Sequence, residues 1–179
     1  MTEHDFYSAL AYSWFGLSSV VFISLQFLSA PYGRHNRKGW GPSIPNRLAW
    51  FIMELPAVCT IAACYVLPSA KHSALNLFFL GVWELHYIHR TFIYPFRTKT
   101  TGKNMPLLIA LLAATTNVGI GYLIGRGLTL FAITDLAWND PNVLIGGGLF
   151  FVGFYINLSS DQILFNLRKP GETGYKIPF

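Results

Sequence analysis

Leu85–Phe96 reads Leu-His-Tyr-Ile-His-Arg-Thr-Phe-Ile-Tyr-Pro-Phe and directly follows an apolar run. The stretch carries imidazole, phenol and guanidinium groups at the end of a segment that is otherwise typical of a membrane helix. A charged side chain at the centre of a membrane helix costs roughly 2.5–3.5 kcal/mol, so such groups mark functional cavities. At helical spacing, Tyr87, Arg90 and Tyr94 share one face, with Glu84 one turn below. The stretch therefore predicts a membrane helix with a polar, functional wall.

The composition of the whole chain indicates the same class of protein. Of the 179 residues, 53% are hydrophobic and only 12% are charged, a balance typical of multi-span membrane proteins. A helix needs about 20 residues to cross the hydrocarbon core. We predict an all-α polytopic membrane protein with a single domain over residues 1–179 and five spans: Phe6–Leu28, Arg47–Leu67, Ala74–Phe96, Met105–Gly125 and Val143–Phe165.

The net charge of +5 is distributed unevenly between the predicted loops. Cytoplasmic loops of membrane proteins carry an excess of lysine and arginine, so the pattern predicts an N-terminus outside and a C-terminus in the cytoplasm. No basic pattern interleaved with aromatic residues indicates nucleic acid as a partner. The cations lie after the first predicted span, after the third and in the tail: Arg34, Arg37, Lys38, Arg47, Arg97, Lys99, Lys103, Arg168, Lys169 and Lys176.

Glu54 and Pro56 lie inside the second apolar run. A proline within a helix removes a backbone hydrogen bond, and membrane helices tolerate this where they line a cavity. A carboxyl group beside such a break indicates a functional site, although a structural pair with Arg90 or a histidine would also explain it. His86 and His89 match metal-ligand spacing only loosely, and no metal site is predicted.

The last predicted span becomes polar near its cytoplasmic end. Asn157, Asp161 and Arg168 lie at i, i+4 and i+11, on one stripe of a helix. An amide, a carboxylate and a guanidinium in this arrangement suit ribose hydroxyls and phosphate. An exposed amphipathic helix end would account for Arg168 but poorly for the two deeper residues.

Glycines in the last two predicted spans have the spacing of helix-packing residues. Gly121 and Gly125 lie four residues apart, and small residues at that spacing let membrane helices approach closely. Gly146–Gly148 is interpreted in the same way. None of these glycines forms the G-x-G-x-x-G fingerprint of dinucleotide-binding domains.

Three blocks of the sequence together resemble the membrane-bound steroid 5α-reductase (3-oxo-5α-steroid 4-dehydrogenase) family. They are His-Tyr-Ile-His-Arg at 86–90, Trp-Phe-Ile-Met-Glu-Leu-Pro at 50–56, and Asn-Leu-Ser-Ser-Asp at 157–161 with the segment 167–178. The blocks occur in the same order as in that family, and we interpret the chain as a bacterial homologue.

The resemblance implies NADPH-dependent reduction of the Δ4 double bond of 3-oxo-Δ4 steroids, with hydride delivered to C5. Glu54 and Tyr87 would polarise the C3 carbonyl, supported by His86 and Arg90, because an oxygen that gains negative charge is stabilised by nearby donors. Burial in apolar surroundings would keep Glu54 protonated. The cofactor-binding residues implied are Tyr32, Arg34, His35, Arg97, Lys103, Asn157, Asp161, Arg168, Tyr175 and Lys176.

The chain departs from the family in two ways. The family continues beyond the Tyr-Lys-Ile-Pro segment at 175–178, so we expect a further C-terminal segment to complete the cofactor site. Met53 stands where some relatives carry glutamine, so the residue next to Glu54 offers no amide to assist it.

Other functions remain as alternatives at this point. An enoyl-CoA or polyprenol reductase of the same superfamily would share the His-Tyr-x-x-Arg block. In a non-enzymatic transporter or structural membrane protein, Glu54, Tyr87 and Asp161 would only pair helices. Each alternative places the chain in a lipid bilayer, either the bacterial inner membrane or, in a eukaryote, the endoplasmic reticulum.

Overall fold

The computed structural model describes residues 1–35, 37–67, 69–99, 102–131 and 136–167, with the side chain of Arg34 excepted. Of the predicted site residues, Arg168, Tyr175 and Lys176 lie outside the described residues. The chain forms helices connected by short turns and one small antiparallel ribbon.

Within these described ranges, six α-helices and two short strands follow one another along the chain. A 3₁₀ turn at Gly33–His35 precedes the first strand, and π-helical segments follow α3 and α5, at His89–Ile93 and Gly127–Phe131. The elements are α1 (Glu3–Phe27), β1 (Ser43–Pro45), α2 (Asn46–Val66), α3 (Ala74–Ile88), α4 (Tyr94–Arg97), β2 (Asn104–Pro106), α5 (Leu107–Arg126) and α6 (Pro141–Asn166).

The helices begin where the sequence supplies caps. Thr2 accepts a hydrogen bond from the backbone N–H of Asp5, whose side chain in turn accepts one from the backbone N–H of Thr2. At the start of α3 the side chain of Ser73 accepts a hydrogen bond from the backbone N–H of Asn76, and at the start of α6 that of Asp140 accepts one from the backbone N–H of Asn142. Such side chains satisfy the amide groups that have no partner in the first helical turn.

Four helical segments are long and apolar enough to cross a membrane: Glu3–Phe27, Asn46–Val66, Leu107–Phe131 and Pro141–Asn166. They match four of the predicted spans: three agree at each end to within three residues, whereas the predicted Met105–Gly125 ends six residues before Phe131. The remaining predicted span, Ala74–Phe96, is helical throughout, but its α-helical part ends at Ile88 after 15 residues and continues as a π-helical segment. Its membrane crossing stays a prediction, as does the orientation of the termini.

The chain divides into two compact units, Met1–Phe96 with Thr100–Thr134, and Arg97–Lys99 with Asp135–Phe179. In the first unit, α2 and α5 pack side by side. The ribbon aligns their starts, because Ile44 of β1 pairs with Met105 of β2 and each strand leads directly into its helix. A core cluster of Ala49, Met105 and Ala110 lies just inside this end.

The glycines of α5 confirm the packing predicted for them. A Cβ atom at Gly125 would lie 2.7 Å from the Cβ of Cys64, and one at Gly121 would lie 3.1 Å from the Cβ of Thr60. The two helices are therefore close enough to exclude larger side chains there.

The packing role predicted for Gly146–Gly148 in α6 stays a prediction. No described atom lies within 4 Å of the place where a Cβ would stand on any of the three glycines.

At the opposite end of α5, a buried arginine joins three elements of the first unit. The Nε of Arg126 lies 2.6 Å from Oε1 of Glu3 at the start of α1, and the side chain of Arg126 is fully buried. Arg126 also donates to Ser69 at 2.8 Å and to Thr129 at 3.4 Å. No pattern in the sequence singled out Arg126, because its partners Glu3 and Ser69 are distant in the sequence.

Candidate active site

The candidate site lies in the first unit, where α2, α3 and α5 meet. Glu54 comes from the middle of α2, Tyr87 from the last turn of α3 and Arg90 from the π-helical segment that follows. The carboxyl group of Glu54 interacts electrostatically with both the Arg90 guanidinium and the Tyr87 phenol. The structure therefore brings these three predicted residues together from separate parts of the sequence.

An aromatic cage holds Arg90. Its guanidinium carbon lies 3.9 Å from the ring centroid of Tyr94 and 4.8 Å from that of Trp50. The two rings are themselves 4.9 Å apart. Cations are attracted to the negative faces of aromatic rings, so Trp50 and Tyr94 fix the guanidinium while its charge faces Glu54.

Tyr87 is also held by aromatic neighbours. The Trp83 ring centroid is 4.5 Å from that of Tyr87, and the His86 ring packs edge-on at 5.0 Å. The indole nitrogen of Trp83 donates a 3.1 Å hydrogen bond to the backbone carbonyl of Ala57, one turn beyond Glu54. This bond ties α3 to α2 beside the two candidate acids.

The prediction that Glu84 continues this wall stays a prediction. Both of its carboxyl oxygens are buried and lack a hydrogen-bond partner in the described part of the chain. The position next to Tyr87 is occupied by Trp83 instead. The π-helical segment begins at His89 and changes the register only of the residues that follow Tyr87, because its turns contain more residues than those of an α-helix.

Asn117 of α5 is a member of the site that the sequence analysis missed. Its amide nitrogen lies 2.6 Å from the backbone carbonyl oxygen of Met53 and 3.4 Å from Oε2 of Glu54. An amide inside an otherwise apolar membrane helix was the available signal, since polar groups there bond across helices.

The predicted cofactor residues in the first unit lie in its loops. Tyr32 and His35 are exposed around the 3₁₀ turn, and Gly33 has φ +60°, a left-handed conformation that favours glycine. Lys103 has an exposed side chain, and its backbone carbonyl accepts a 3.0 Å hydrogen bond from the backbone N–H of Asn46.

The second unit contains the other predicted cofactor residues that the structure describes. Asp161 is buried, with 7% of its surface exposed. One turn earlier on α6, the amide oxygen of Asn157 is buried and has no hydrogen-bond partner among the described residues. Arg97 donates to the side-chain oxygen of Gln162 and lies over the ring of Phe165, at 4.9 Å from its centroid.

Known proteins match most of the chain. A family model described as 3-oxo-5-alpha-steroid 4-dehydrogenase matches residues 103–179. The 3-oxo-5-alpha-steroid 4-dehydrogenase 1 of Macaca fascicularis is 40% identical over 99% of this chain and 68% of the relative. The human enzyme of the same name is 40% identical over 99% of this chain and 70% of its own length. Steroid 5-alpha-reductase DET2 of Arabidopsis thaliana is 40% identical over 87% of this chain and 62% of its own length.

The fold and the site define a multi-span membrane protein with a carboxyl group, a phenol and a caged guanidinium gathered between its helices. The chain belongs to the steroid 5α-reductase family. Its named relatives are oxidoreductases of steroid metabolism, and this confirms the family resemblance of the three sequence blocks.

Proposed function

We propose that this protein reduces the Δ4 double bond of 3-oxo-Δ4 steroids with NADPH, and that Glu54 and Tyr87 polarise the C3 carbonyl. The observation that carries the proposal is the meeting of Glu54 of α2 with Tyr87 of α3 inside apolar helices. The names of the relatives favour a steroid over a CoA thioester or a polyprenol.

The chemistry of the two side chains fits this reaction. When bound, NADPH supplies the hydride that adds to C5 of the steroid. As C5 is reduced, negative charge develops on the C3 oxygen, and donors placed there stabilise it. Tyr87 donates its phenolic hydrogen and Glu54, in its protonated form, donates its carboxyl hydrogen. A proton added at C4 then completes the reduction.

Arg90 and His86 support the two donors. Arg90, held between Trp50 and Tyr94, fixes the electrostatic environment of both Glu54 and Tyr87. His86 packs against the ring of Tyr87 and limits its rotation. Neither residue needs to contact the steroid for these roles.

The residues of α6 fit the ribose part of the cofactor. The buried amide oxygen of Asn157 has no hydrogen-bond partner in the described chain and accepts hydrogen bonds, as does the buried carboxylate of Asp161. Ribose hydroxyls are the matching donors. The other residues proposed to hold the cofactor are Tyr32, Arg34, His35, Arg97, Lys103, Arg168, Tyr175 and Lys176.

The acids are tested by Glu54→Gln and Tyr87→Phe in protein reconstituted in lipid nanodiscs. Each change is expected to lower the single-turnover rate on a 3-oxo-Δ4 steroid by about 10²-fold or more, the usual loss for one oxyanion donor. NADPH affinity should stay at the parent value. Thr115→Val, which removes a hydroxyl bonded only within α5, is the control. Parent rates in both folded variants would overturn the assignment.

A further inference from the structure

We propose that Asn117 is a positioning residue: its amide holds the carboxyl group of Glu54 and selects Oε1 as the oxygen that carries the proton. The inference rests on the proposed function, in which a protonated Glu54 donates a hydrogen bond to the steroid. It adds a third helix, α5, to the machinery that prepares this acid.

The orientation of the Asn117 amide follows from its first partner. Its nitrogen lies 2.6 Å from the backbone carbonyl oxygen of Met53. A carbonyl oxygen only accepts hydrogen bonds, so the NH₂ group and not the amide oxygen must face it. The carbonyl lies three residues before Pro56, close to the place where that residue interrupts the hydrogen bonds of α2.

The second hydrogen of the same NH₂ group is directed towards Glu54. The Asn117 nitrogen lies 3.4 Å from Oε2 of Glu54, and an amide nitrogen has two hydrogens to donate. Oε2 is therefore the acceptor in this contact. A protonated carboxyl group has one hydroxyl oxygen and one carbonyl oxygen, and the oxygen that accepts from Asn117 is the carbonyl oxygen. The hydroxyl is then Oε1.

The other charged or polar groups that face Glu54 are compatible with this arrangement. Arg90 and Tyr87 both interact with it electrostatically. Neither residue belongs to α5, and the neutral donor that α5 supplies to Glu54 is the Asn117 amide. The close packing of α2 on α5 at Gly121 and Gly125 keeps the distance between Asn117 and Glu54 short.

Neighbouring polar residues of α5 do not act in this way. The hydroxyl groups of Thr115 and Thr116 each donate 2.9 Å bonds to the carbonyl four residues earlier in their own helix. Only the side chain of Asn117, among these three, crosses to α2. Thr116→Val is therefore a matched control for a change at Asn117.

Infrared spectroscopy tests the placement of the proton without requiring turnover. The carboxylic C=O band that Glu54→Gln removes from the spectrum of the nanodisc-embedded protein belongs to Glu54. Asn117→Leu is expected to shift that band to higher wavenumber, because the carbonyl oxygen loses its donor, and Thr116→Val is expected to leave it in place. If Asn117→Leu fails to fold, Asn117→Ala provides the same test. An unshifted band in a folded variant overturns the proposal.

Kinetics separate a positioning role from a structural one. Asn117→Leu should lower kcat about tenfold, the worth of roughly one hydrogen bond, with little change in the KM for the steroid or in NADPH affinity. In the Glu54→Gln background the same change should lower kcat no further, because residues that act as a unit are not additive. An equal tenfold loss in both backgrounds would indicate a structural role and overturn the proposal.

The outcomes distinguish this inference from the function on which it rests. If Glu54→Gln leaves kcat at the parent value, or removes no carboxylic band, the acid role of Glu54 fails and the role of Asn117 fails with it. If Glu54→Gln abolishes turnover while Asn117→Leu keeps the parent kcat and the parent band, only the role of Asn117 is overturned.

Discussion

Some polar residues within the apolar helices bond to a different helix, and Asn117 and Arg126 are two of them. Arg126 is fully buried at the end of α5, and its guanidinium contacts Glu3, Ser69 and Thr129. A buried charge that loses its partner is strongly destabilising. The arginine is therefore compatible with burial only because α1 supplies a carboxylate at its first residue.

Glu3→Gln should lower the free energy of unfolding by about 1–2 kcal/mol, because it leaves the buried Arg126 guanidinium without its anion. The expected loss is no larger because the Glu3 carboxylate is partly exposed and solvent weakens its interaction with the guanidinium. Glu3 itself is 42% exposed. The measurement is equilibrium unfolding in mixed micelles. Arg47→Gln, which removes one exposed charge, is the control and should stay within about 0.5 kcal/mol of the parent. Equal stability of the Glu3 variant and the parent would contradict the role of this pair.

Asp161→Ala should weaken NADPH binding by about ten- to a hundredfold, because a charge-assisted hydrogen bond contributes roughly 1.5–3 kcal/mol. Calorimetry on the detergent-purified protein measures this affinity, and steroid affinity should change little. Ser160→Ala alters an exposed neighbour on α6 and should bind NADPH as the parent does. Weakened steroid binding with unchanged NADPH affinity would contradict the proposal, because it would assign Asp161 to the steroid and not to the cofactor.

At the scale of elements, the close contact of α2 with α5 organises the first unit. Gly121 and Gly125 remove side-chain volume where the helices meet, and the ribbon of β1 and β2 sets the relative height of the two helices. Interhelical packing of small residues is a main source of association between membrane helices. The same contact brings Asn117 to Glu54.

Gly125→Ala should destabilise the protein by about 1–3 kcal/mol through overpacking, because its new Cβ would lie 2.7 Å from the Cβ of Cys64. Gly147→Ala is the matched control: it meets no described atom within 4 Å and should gain about 0.5–1 kcal/mol from better helix propensity. Unfolding in mixed micelles measures both. Similar effects of the two substitutions would show that α2 and α5 do not pack closely at Gly125.

At the scale of the whole molecule, the membrane topology follows from how many helices cross the bilayer. The continuous helical segment Ala74–Arg97 contains Glu84, the two histidines and Arg90, so its mean hydropathy is lower than that of the four long spans. Whether this segment crosses decides on which side the loops around Lys71 and Lys99 lie. The positive-inside rule places Lys99 in the cytoplasm.

Two single-cysteine variants, Lys71→Cys and Lys99→Cys, test this topology. Each is made in a background in which Cys59 and Cys64 are replaced by alanine. A membrane-impermeant maleimide should label Lys71→Cys in intact cells and Lys99→Cys only after the membrane is permeabilised. Lys38→Cys, which the same rule predicts to be cytoplasmic, should behave like Lys99→Cys. Labelling of the Lys71 and Lys99 variants from the same side would exclude a crossing by Ala74–Phe96.

The sequence by itself determined the helical membrane class and four long apolar helices, because apolar runs are local signals. It also singled out Glu54 and Tyr87 as candidate site residues, because ionisable groups within such runs are local signals too. It also predicted the close helix contact at Gly121 and Gly125, because small residues four positions apart on a membrane helix let another helix approach closely.

Only the tertiary structure decided which side chains meet. Asn117 is 63 residues from Glu54 in the sequence, and Arg126 is 123 residues from Glu3. No periodicity within one helix encodes such a pair, because helical spacing fixes the face on which a residue lies but not the helix that packs against it. The π-helical segment at His89–Ile93 likewise changes the register that a regular α-helix predicts. The partners of Glu54 and Arg126 therefore depend on how α1, α2 and α5 pack, a property of the folded chain.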